Sequence, residues 1–316
     1  MRVLVTGANG FVGRALCREL LRRDRRVSAA IRRDDDPPAG CELRLVGEIG
    51  PDTDWRAALE GVDAVAHLAA RVHVMRESAK DSIAAFRRTN VAGTLRLAEA
   101  AALAGVRRFV FLSSVKALGD ASPDGPLTEA SAAKPQDPYG VSKLETEVGL
   151  ARLAKEMGLE IVILRPPLVY GPGVKGNFRS LIRLVDRGLP LPLGSIANQR
   201  SLLYLGNLVD AIDRCLSHPA AAGRIYLLRD GEDLSTPELV RRLAAALGRR
   251  ATLVPIPGTV LKQAANCLGR KVEAARLLGS LTVDDRRIRN ELDWQPPFTV
   301  DQGLAETAIC WRESRS

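Results

Sequence analysis

The chain has 316 residues and 46% of them are hydrophobic, so it can bury a sizeable core and its composition excludes general disorder. Its five cysteines are scattered without a CxxC pair, which excludes a zinc or disulfide framework and is typical of a reducing compartment. The net charge of +9 comes mainly from arginines mixed with acidic residues, a pattern typical of a solvated surface and not of a nucleic-acid-binding tract. No stretch approaches the ~20 apolar residues of a membrane span, so we expect a cytoplasmic protein without membrane partners and with no bound metal.

The first half of the chain alternates strand-like and helix-like segments. Short apolar or β-branched runs predict strands at Val3–Thr6, Val27–Ile31, Leu43–Val46, Ala64–Leu68, Phe109–Leu112 and Ile161–Leu164. Apolar residues at helical spacing predict helices over Val12–Arg23, Phe86–Ala104 and Tyr139–Met157. This alternation predicts an α/β fold with a doubly wound parallel sheet covered by helices on both faces.

After Arg165 proline and glycine become frequent, and short helical patterns such as Thr236–Leu247 lie between them. This change of character predicts two units, residues 1–165 and residues 166–316. We expect the second to be a smaller lobe, some segments of which return to the sheet of the first.

A glycine-rich turn follows the first predicted strand, with Gly7, Gly10 and Gly13 in the sequence TGANGFVG. Gly7 permits a tight turn, Gly10 lets the backbone approach a pyrophosphate, and Gly13 lets helix and strand pack closely. The N–H groups and the dipole at the start of the following helix attract negative charge. The strand–turn–helix context therefore predicts a dinucleotide site in residues 1–165.

A second motif combines a tyrosine, a lysine and a strand that ends in two serines. Tyr139 and Lys143 are four positions apart in a predicted helix and so share one face. A phenol with its ordinary pKa of about 10 needs a nearby cation to exchange protons at neutral pH, and Lys143 supplies one. Ser113 and Ser114 end a strand at its carboxyl end, where ligands of open α/β sheets bind. The pattern predicts a proton-transfer site at this end of the sheet.

Together these motifs resemble the extended short-chain dehydrogenases/reductases of the NAD-dependent epimerase/dehydratase family. The resemblance covers nearly the whole chain and implies a Rossmann-type sheet with a smaller C-terminal substrate-binding lobe. It implies that Ser114, Tyr139 and Lys143 are catalytic, and that Asn90 supports the site through backbone contacts. The positions that it implies for cofactor binding are Gly7, Asn9, Gly10, Phe11, Val12, Gly13, Glu48, Ile49, Leu68, Ala69, Ala70, Tyr139, Lys143 and Pro166.

The residues after the second predicted strand bear on the choice between NAD and NADP. NAD-preferring family members carry an acidic residue there, whereas this chain has Arg32 and Arg33. Arginine pairs well with a 2′-phosphate, which favours NADP, although Asp34 leaves NAD open.

The second lobe resembles that of family members that act on UDP-hexoses and UDP-N-acetylhexosamines. Leu168 stands where an asparagine commonly meets the substrate diphosphate, so that contact departs from the family pattern. Arginine forks suit a diphosphate, as expected for Arg200. The substrate contacts that the resemblance implies are His73, Ser114, Tyr139, Asn177, Arg200 and Arg276.

Three functions remain open from the sequence. The first is chemistry at C4 of a nucleotide sugar, either reduction of a UDP-4-keto-6-deoxy-N-acetylhexosamine, which Arg32 and Arg33 favour, or 4-epimerisation. The second is reduction of a hydrophobic ketone, such as a steroid or flavonoid. The third is a non-catalytic NADP-binding protein, against which the intact Tyr139 and Lys143 argue. The family's usual dimer helices are present in the predicted helices Phe86–Ala104 and Tyr139–Met157, so a homodimer is expected.

Overall fold

The computed structural model describes residues 1–34, 36–72, 79–269 and 271–315, without the side chains of residues 79–82, 271–273 and 276. The strands are β1 Arg2–Thr6, β2 Arg26–Ile31, β3 Glu42–Leu45, β4 Ala64–His67, β5 Arg108–Leu112, β6 Glu160–Arg165, β7 Leu168–Tyr170, β8 Arg200–Tyr204, β9 Ile225–Leu227 and β10 Asp233–Leu234. The α-helices are α1 Phe11–Arg22, α2 Arg56–Leu59, α3 Ala79–Phe86, α4 Gly93–Leu103, α5 Pro138–Met157, α6 Gly176–Asp186, α7 Leu205–Ser217, α8 Thr236–Ala246, α9 Gly258–Cys267, α10 Lys271–Leu278, α11 Arg286–Leu292 and α12 Val300–Glu313. A π-helical turn spans Arg87–Ala92, and short 3-10 turns span Val115–Ala117 and Pro219–Ala221. None of the helices that the structure describes is long and apolar enough to cross a membrane.

The main sheet is parallel throughout and has the strand order β3-β2-β1-β4-β5-β6-β9. The predicted doubly wound α/β sheet is therefore confirmed, and each predicted strand lies within one residue of the observed one at either end. The strand order reverses between β1 and β4, which pair in the register Thr6 to His67. Ligands of such sheets bind beyond the carboxyl ends of the strands at this reversal.

Each face of the sheet packs into its own apolar cluster, because successive side chains of a strand point to opposite faces. Val3 and Val5 pack into the cluster that also holds Leu16 of α1, whereas Leu4 packs into the cluster that holds Leu97 of α4. All three strand residues are completely buried. β1 is therefore apolar at consecutive positions because helices cover both faces of the sheet.

The second half of the chain contributes a small separate sheet with the order β10-β8-β7, in which β7 and β8 are parallel and β10 is antiparallel. β9 leaves this region and joins the main sheet beside β6, where Ile225 pairs with Ile163. A third apolar cluster joins Val115 and Leu118, which follow β5, to Leu281 and Val283 near the C-terminus. The segment after β5 is therefore packed against the C-terminal part of the chain.

The helix predicted over Phe86–Ala104 is wrong as a single regular helix. α3 ends at Phe86, the π-helical turn follows, and α4 begins only at Gly93. Asn90 lies in the π-helical turn, is almost completely buried, and has its amide group bonded to the backbone of Arg71. A π-turn adds one residue to a helical turn, and such turns are frequent at functional sites.

Candidate active site

The glycine turn between β1 and α1 is shaped by close backbone contacts. Gly7 has φ +64°, and a Cβ there would lie 3.0 Å from the backbone of Ala69. A Cβ on Gly13 would lie 2.1 Å from the carbonyl oxygen of Gly7, so only glycine permits this approach of helix and strand. Gly10 is the N-cap of α1, whose first turn has no acidic residue and no side-chain cap. The N-terminal N–H groups of α1 thus have no capping side chain, as a diphosphate site requires.

The neighbouring end of β4 is held by a buried histidine. The two ring nitrogens of His67 contact the hydroxyls of Thr6 at 2.7 Å and Thr94 at 2.8 Å. The Thr6 hydroxyl also accepts the N–H groups of Leu68 and Ala69, both at 3.2 Å. Burial and the Lys143 charge lower the pKa of His67 to about 3, so the ring is neutral at physiological pH. His67 therefore fixes the strand ends at the glycine turn.

The end of β5 presents two serines in different environments. Ser113 is buried, and its hydroxyl donates to the carboxylate of Glu147 on α5. Ser114 is half-buried and is the N-cap of the 3-10 turn, where its hydroxyl accepts the N–H of Lys116 at 3.2 Å. The Ser114 hydroxyl hydrogen is therefore available for another acceptor, as the sequence predicts for a group that binds the reacting oxygen.

Tyr139 and Lys143 occupy the first turns of α5 and lie on one face. Asp137 caps the helix by accepting the Gly140 N–H at 2.8 Å, and Pro138 follows at its first position. The Lys143 ammonium lies 5.7 Å from the centre of the Tyr139 ring and 4.5 Å from that of Phe111. It donates to the carbonyl of Leu112 at 2.7 Å, at the end of β5. The predicted tyrosine–lysine pair therefore lies at the end of β5, where Lys143 contacts the residue two positions before the predicted Ser114.

The electrostatics of this pair differ from the sequence expectation, in which the Lys143 cation favours the phenolate. Burial, together with the Asp137 charge, raises the pKa of Tyr139 above its ordinary value. Burial also lowers the pKa of Lys143 from 10.5 to about 7, although the Glu147 carboxylate acts in the opposite direction. Desolvation disfavours the charged form of each group, and it is the largest cause of both pKa shifts.

Asn90 connects three segments of the site. Its side-chain oxygen accepts the Arg71 N–H at 2.7 Å, and its NH₂ group donates to the Arg71 carbonyl at 3.1 Å and to Ser142 Oγ at 3.0 Å. Ser142 Oγ in turn donates to the carbonyl of Tyr139 at 2.8 Å. Asn90 was expected to support the site through backbone contacts, and its amide group does bond the backbone of Arg71.

A buried ion pair below the site was not identified from the sequence. The Arg165 guanidinium contacts Glu147 through two nitrogens, the shorter distance being 2.5 Å, and both side chains are at most 6% exposed. Glu147 also accepts the Ser113 hydroxyl, so it joins the ends of β5 and β6 to α5. The signal in the sequence is Glu147 four positions after Lys143, which places it on the same helix face.

The residues expected around the rest of a dinucleotide lie near the same edge of the sheet. Leu68, Ala69 and Ala70 follow β4 and are half-buried, and Pro166 follows β6 with its carbonyl bonded to Val115 N–H at 2.9 Å. Asn9, Phe11 and Val12 are half-buried in the glycine turn and the first turn of α1.

The residues that follow β2 form an exposed edge of this region. The guanidinium of Arg32 pairs with the carboxylate of Glu48 at 3.0 Å, and Arg33 is also exposed. Ile49 is half-buried beside Gly93, where a Cβ would lie 2.7 Å from it. The sequence did not predict that Arg32 and Glu48, each expected to contact the cofactor, would contact each other.

The expected substrate residues lie in the second half of the chain. Asn177 is exposed in the first turn of α6, and the half-buried Arg200 begins β8. Arg200 donates to the carbonyl of Gly279 at 3.0 Å, just after α10, the helix that carries Arg276. The structure thus brings Arg200 and the end of α10 together. His73 and the Arg276 side chain lie outside the described part of the structure, and Leu168 is exposed at the start of β7.

The glycine cradle fits a dinucleotide, because added Cβ atoms would fill the space that the turn leaves open. When bound, a nicotinamide supplies the hydride chemistry that the side chains around it do not have. The polar side chains near it are the Ser114 hydroxyl, the Tyr139 phenol and the Lys143 amine.

Comparisons with known proteins agree with this geometry. The model of the NAD dependent epimerase/dehydratase family matches residues 3–228. A protein of Vibrio cholerae described as UDP-glucose 4-epimerase is 43% identical over 317 residues, covering 99% of this chain and 96% of the relative. A 3-beta-hydroxysteroid dehydrogenase of Mycolicibacterium neoaurum is 28% identical over 332 residues, an alignment that covers 96% of this chain and 90% of the relative.

Among solved structures, MoeE5 in complex with UDP-glucose and NAD superposes over 100% of both chains, with a TM-score of 0.79 and 29% identity. It carries the same type of α/β sheet. The chain therefore belongs to the NAD dependent epimerase/dehydratase family and is an enzyme of the short-chain dehydrogenase/reductase class.

Proposed function

We propose that this enzyme catalyses NAD(P)-dependent oxidoreduction at C4 of a UDP-hexose or UDP-N-acetylhexosamine, and that the reaction is 4-epimerisation. The observation that carries the proposal is that Lys143, one turn after Tyr139 on α5, donates to the carbonyl of Leu112 at the end of β5, two residues before Ser114. The V. cholerae relative described as a UDP-glucose 4-epimerase supports the substrate class, because it matches almost the full length of this chain.

Each side chain has a distinct task in this proposal. Tyr139 takes the proton from the C4 hydroxyl or returns it to the C4 carbonyl oxygen, and Ser114 donates a hydrogen bond to the same oxygen. Lys143, at the end of β5, holds the ribose of the cofactor. The cofactor diphosphate lies on Gly7, Gly10 and the N-terminus of α1.

A second candidate is reduction of a UDP-4-keto-6-deoxy-N-acetylhexosamine at C4. Arg32 and Arg33 favour it, because they suit NADPH, which a reductase consumes and releases. Reduction of a steroid-like ketone is the alternative that the Mycolicibacterium relative suggests. Arg200 argues against it, because such a substrate has no phosphate for a guanidinium to bind.

The deciding experiment incubates purified protein with UDP-glucose, UDP-N-acetylglucosamine or a UDP-4-keto-6-deoxy-N-acetylhexosamine, each with NAD, NADPH or no added cofactor. A 4-epimerase converts one of the first two into its C4 epimer without net consumption of cofactor. A reductase instead oxidises NADPH in proportion to ketosugar. Tyr139→Phe is the matched control, and it should lower the rate by about 10²–10⁴-fold while the cofactor still binds.

Arg200 tests the nucleotide-sugar assignment separately. Arg200→Ala should raise the KM for the UDP-sugar steeply and leave cofactor binding unchanged, and Arg200→Lys should recover only part of the loss because an ammonium cannot form a bidentate fork. UDP should inhibit the wild type competitively. If millimolar UDP neither inhibits nor raises Tm, the nucleotide-sugar assignment fails and only the dehydrogenase chemistry remains.

We also propose that residues 166–316 supply most substrate contacts, with Asn177, Arg200 and Arg276 among them and His73 beside the sugar. The cytoplasm is the expected location, because nucleotide sugars are made and used there. A homodimer through α4 and α5 completes the proposal.

A further inference from the structure

Lys116 lies between the two groups proposed to bind the reacting oxygen. It is the second residue after Ser114, and its backbone N–H donates to Ser114 Oγ. Its ammonium contacts the carboxylates of Asp137 and, at 3.7 Å, Asp120. The side chains of Lys116 and Asp137 are only 22% and 16% exposed. The proton transfer described above does not use this ammonium.

Asp137 is joined to the start of α5, the helix of Tyr139. One of its carboxylate oxygens accepts the Gly140 N–H at 2.8 Å, and the other contacts Lys116. The backbones also touch, since a Cβ on Gly140 would lie 2.5 Å from the Lys116 carbonyl oxygen. A single chain of contacts therefore runs from the Ser114 hydroxyl through Lys116 and Asp137 to the turn that carries Tyr139.

We propose that Lys116 is a positioning residue, which through its ion pair with Asp137 fixes Tyr139 relative to Ser114. The two hydroxyls come from different elements, a strand end and a helix, and must reach the same oxygen. A misplacement of about 1 Å costs on the order of 10²-fold in rate, so a contact that joins these elements affects turnover more than substrate affinity. The assay of this inference rests on the proposed function.

The charges around Lys116 make the inference testable by reversal. Two carboxylates face the ammonium, so a carboxylate at position 116 would repel both of them. An asparagine at position 137 would keep an oxygen for the Gly140 N–H and lose the charge. The charge of the contact can therefore be varied separately from the helix cap.

The kinetic experiment compares Lys116→Met, Lys116→Glu and Lys116→Arg in UDP-sugar epimerisation. We expect kcat to fall about tenfold in Lys116→Met, about 100-fold in Lys116→Glu, and about twofold at most in Lys116→Arg. KM and cofactor affinity should stay within about twofold of wild type. Adding Asp137→Asn to Lys116→Glu should restore about tenfold in kcat, because one repulsion is removed. Lys155→Met, at the exposed end of the same helix, is the matched control and should keep wild-type kcat.

Wild-type kcat in Lys116→Met would overturn the inference. So would a loss in Lys116→Glu that the added Asp137→Asn does not reduce, or one that appears in KM alone. Should Lys116→Glu not fold, Lys116→Met alone decides, because it removes the ion pair with Asp137 without introducing a repulsion.

A second measurement separates this inference from the proposed function. If wild-type enzyme converts no UDP-sugar, the proposed function has failed, and crystal structures of wild type and Lys116→Glu decide the positioning role. The separation of Ser114 Oγ and Tyr139 Oη should be longer in the variant. An unchanged separation would contradict the inference whatever the substrate is.

Discussion

Lys143 shows a conflict between function and stability within one side chain. It is 2% exposed, and burial lowers its pKa from 10.5 to about 7. Between these two pH values the unfolded chain binds more protons than the folded one, so this group makes stability rise with pH in that window. Below about pH 7 the ammonium is present in both states, and the full cost of burying it opposes folding.

Replacement of Lys143 by methionine should therefore lower activity and, at low pH, raise stability relative to wild type. We expect Lys143→Met to lose activity and cofactor affinity. The Tm of Lys143→Met minus the Tm of wild type should be larger at about pH 6.5 than at about pH 9.5. At the lower pH only wild type has to bury an ammonium. Thermal unfolding at both pH values measures this, with Lys155→Met as control. A difference in Tm that does not change with pH would show that Lys143 is not desolvated in solution.

Cofactor choice also depends on individual residues. The Arg32–Glu48 pair is exposed, so Arg32 can exchange Glu48 for a 2′-phosphate at little cost. We expect Arg32→Asp with Arg33→Ala to shift the ratio of NADP to NAD affinity about ten- to a hundredfold towards NAD, since a charge-assisted bond to phosphate contributes ~1.5–3 kcal/mol. Titration of both cofactors measures the ratio, and Glu48→Gln should shift it the other way. If neither variant shifts the ratio, Asp34 or the backbone must be the group that contacts the adenosine ribose.

Elements were predictable where one local rule decides them. The strands of the main sheet are continuous apolar runs. Asp137 caps the start of α5, Pro138 is its first residue, and Gly158, which has φ +72°, ends it. The π-helical turn was not predictable, because the contacts of Asn90 to Arg71 and Ser142 join residues far apart in the sequence. Glu147 and Arg165 were missed for the same reason.

The Glu147–Arg165 pair ties α5 to the ends of β5 and β6, and its loss should destabilise the fold. Glu147→Gln leaves a buried guanidinium without a countercharge, which costs about 3–5 kcal/mol. The matched control is Glu145→Gln on the same helix, whose partner Arg87 is 53% exposed, so its cost should be at most about 1 kcal/mol. Urea unfolding measures both free energies. Replacing both partners, as Glu147→Leu with Arg165→Met, should recover much of the loss, and equal costs in the two Gln variants would contradict the argument.

At the scale of the whole molecule, the sequence predicted the sheet of the first half and a change of character after Arg165. It did not identify β9 as the edge strand beside β6, or the small sheet of β7, β8 and β10. β7, β9 and β10 have only two or three residues, and such short segments carry too little periodicity to be recognised. Their pairing depends on long-range contacts, such as the Asp230 carboxylate bonded to Tyr170, Tyr204 and Asn207.

The largest-scale prediction concerns association of two copies of the chain. α4 and α5 lie side by side, with a groove of about 350 Å³ between them that includes Leu95 and Gly149. Leu103 at one end of α4 and Val148 on α5 are 74% and 66% exposed. Two copies of this face can pack as a four-helix interface with twofold symmetry, in which each residue is buried twice.

Val148→Glu should therefore weaken the proposed dimer at least about tenfold, equivalent to about 1.4 kcal/mol, because it places two carboxylates in an apolar contact. Sedimentation equilibrium measures the dissociation constant. Ile309→Glu, a matched change at an exposed apolar residue of α12, should leave it unchanged. A wild type that stays monomeric at tens of micromolar would refute the homodimer. A dimer disrupted by Ile309→Glu and not by Val148→Glu would move the interface to α12.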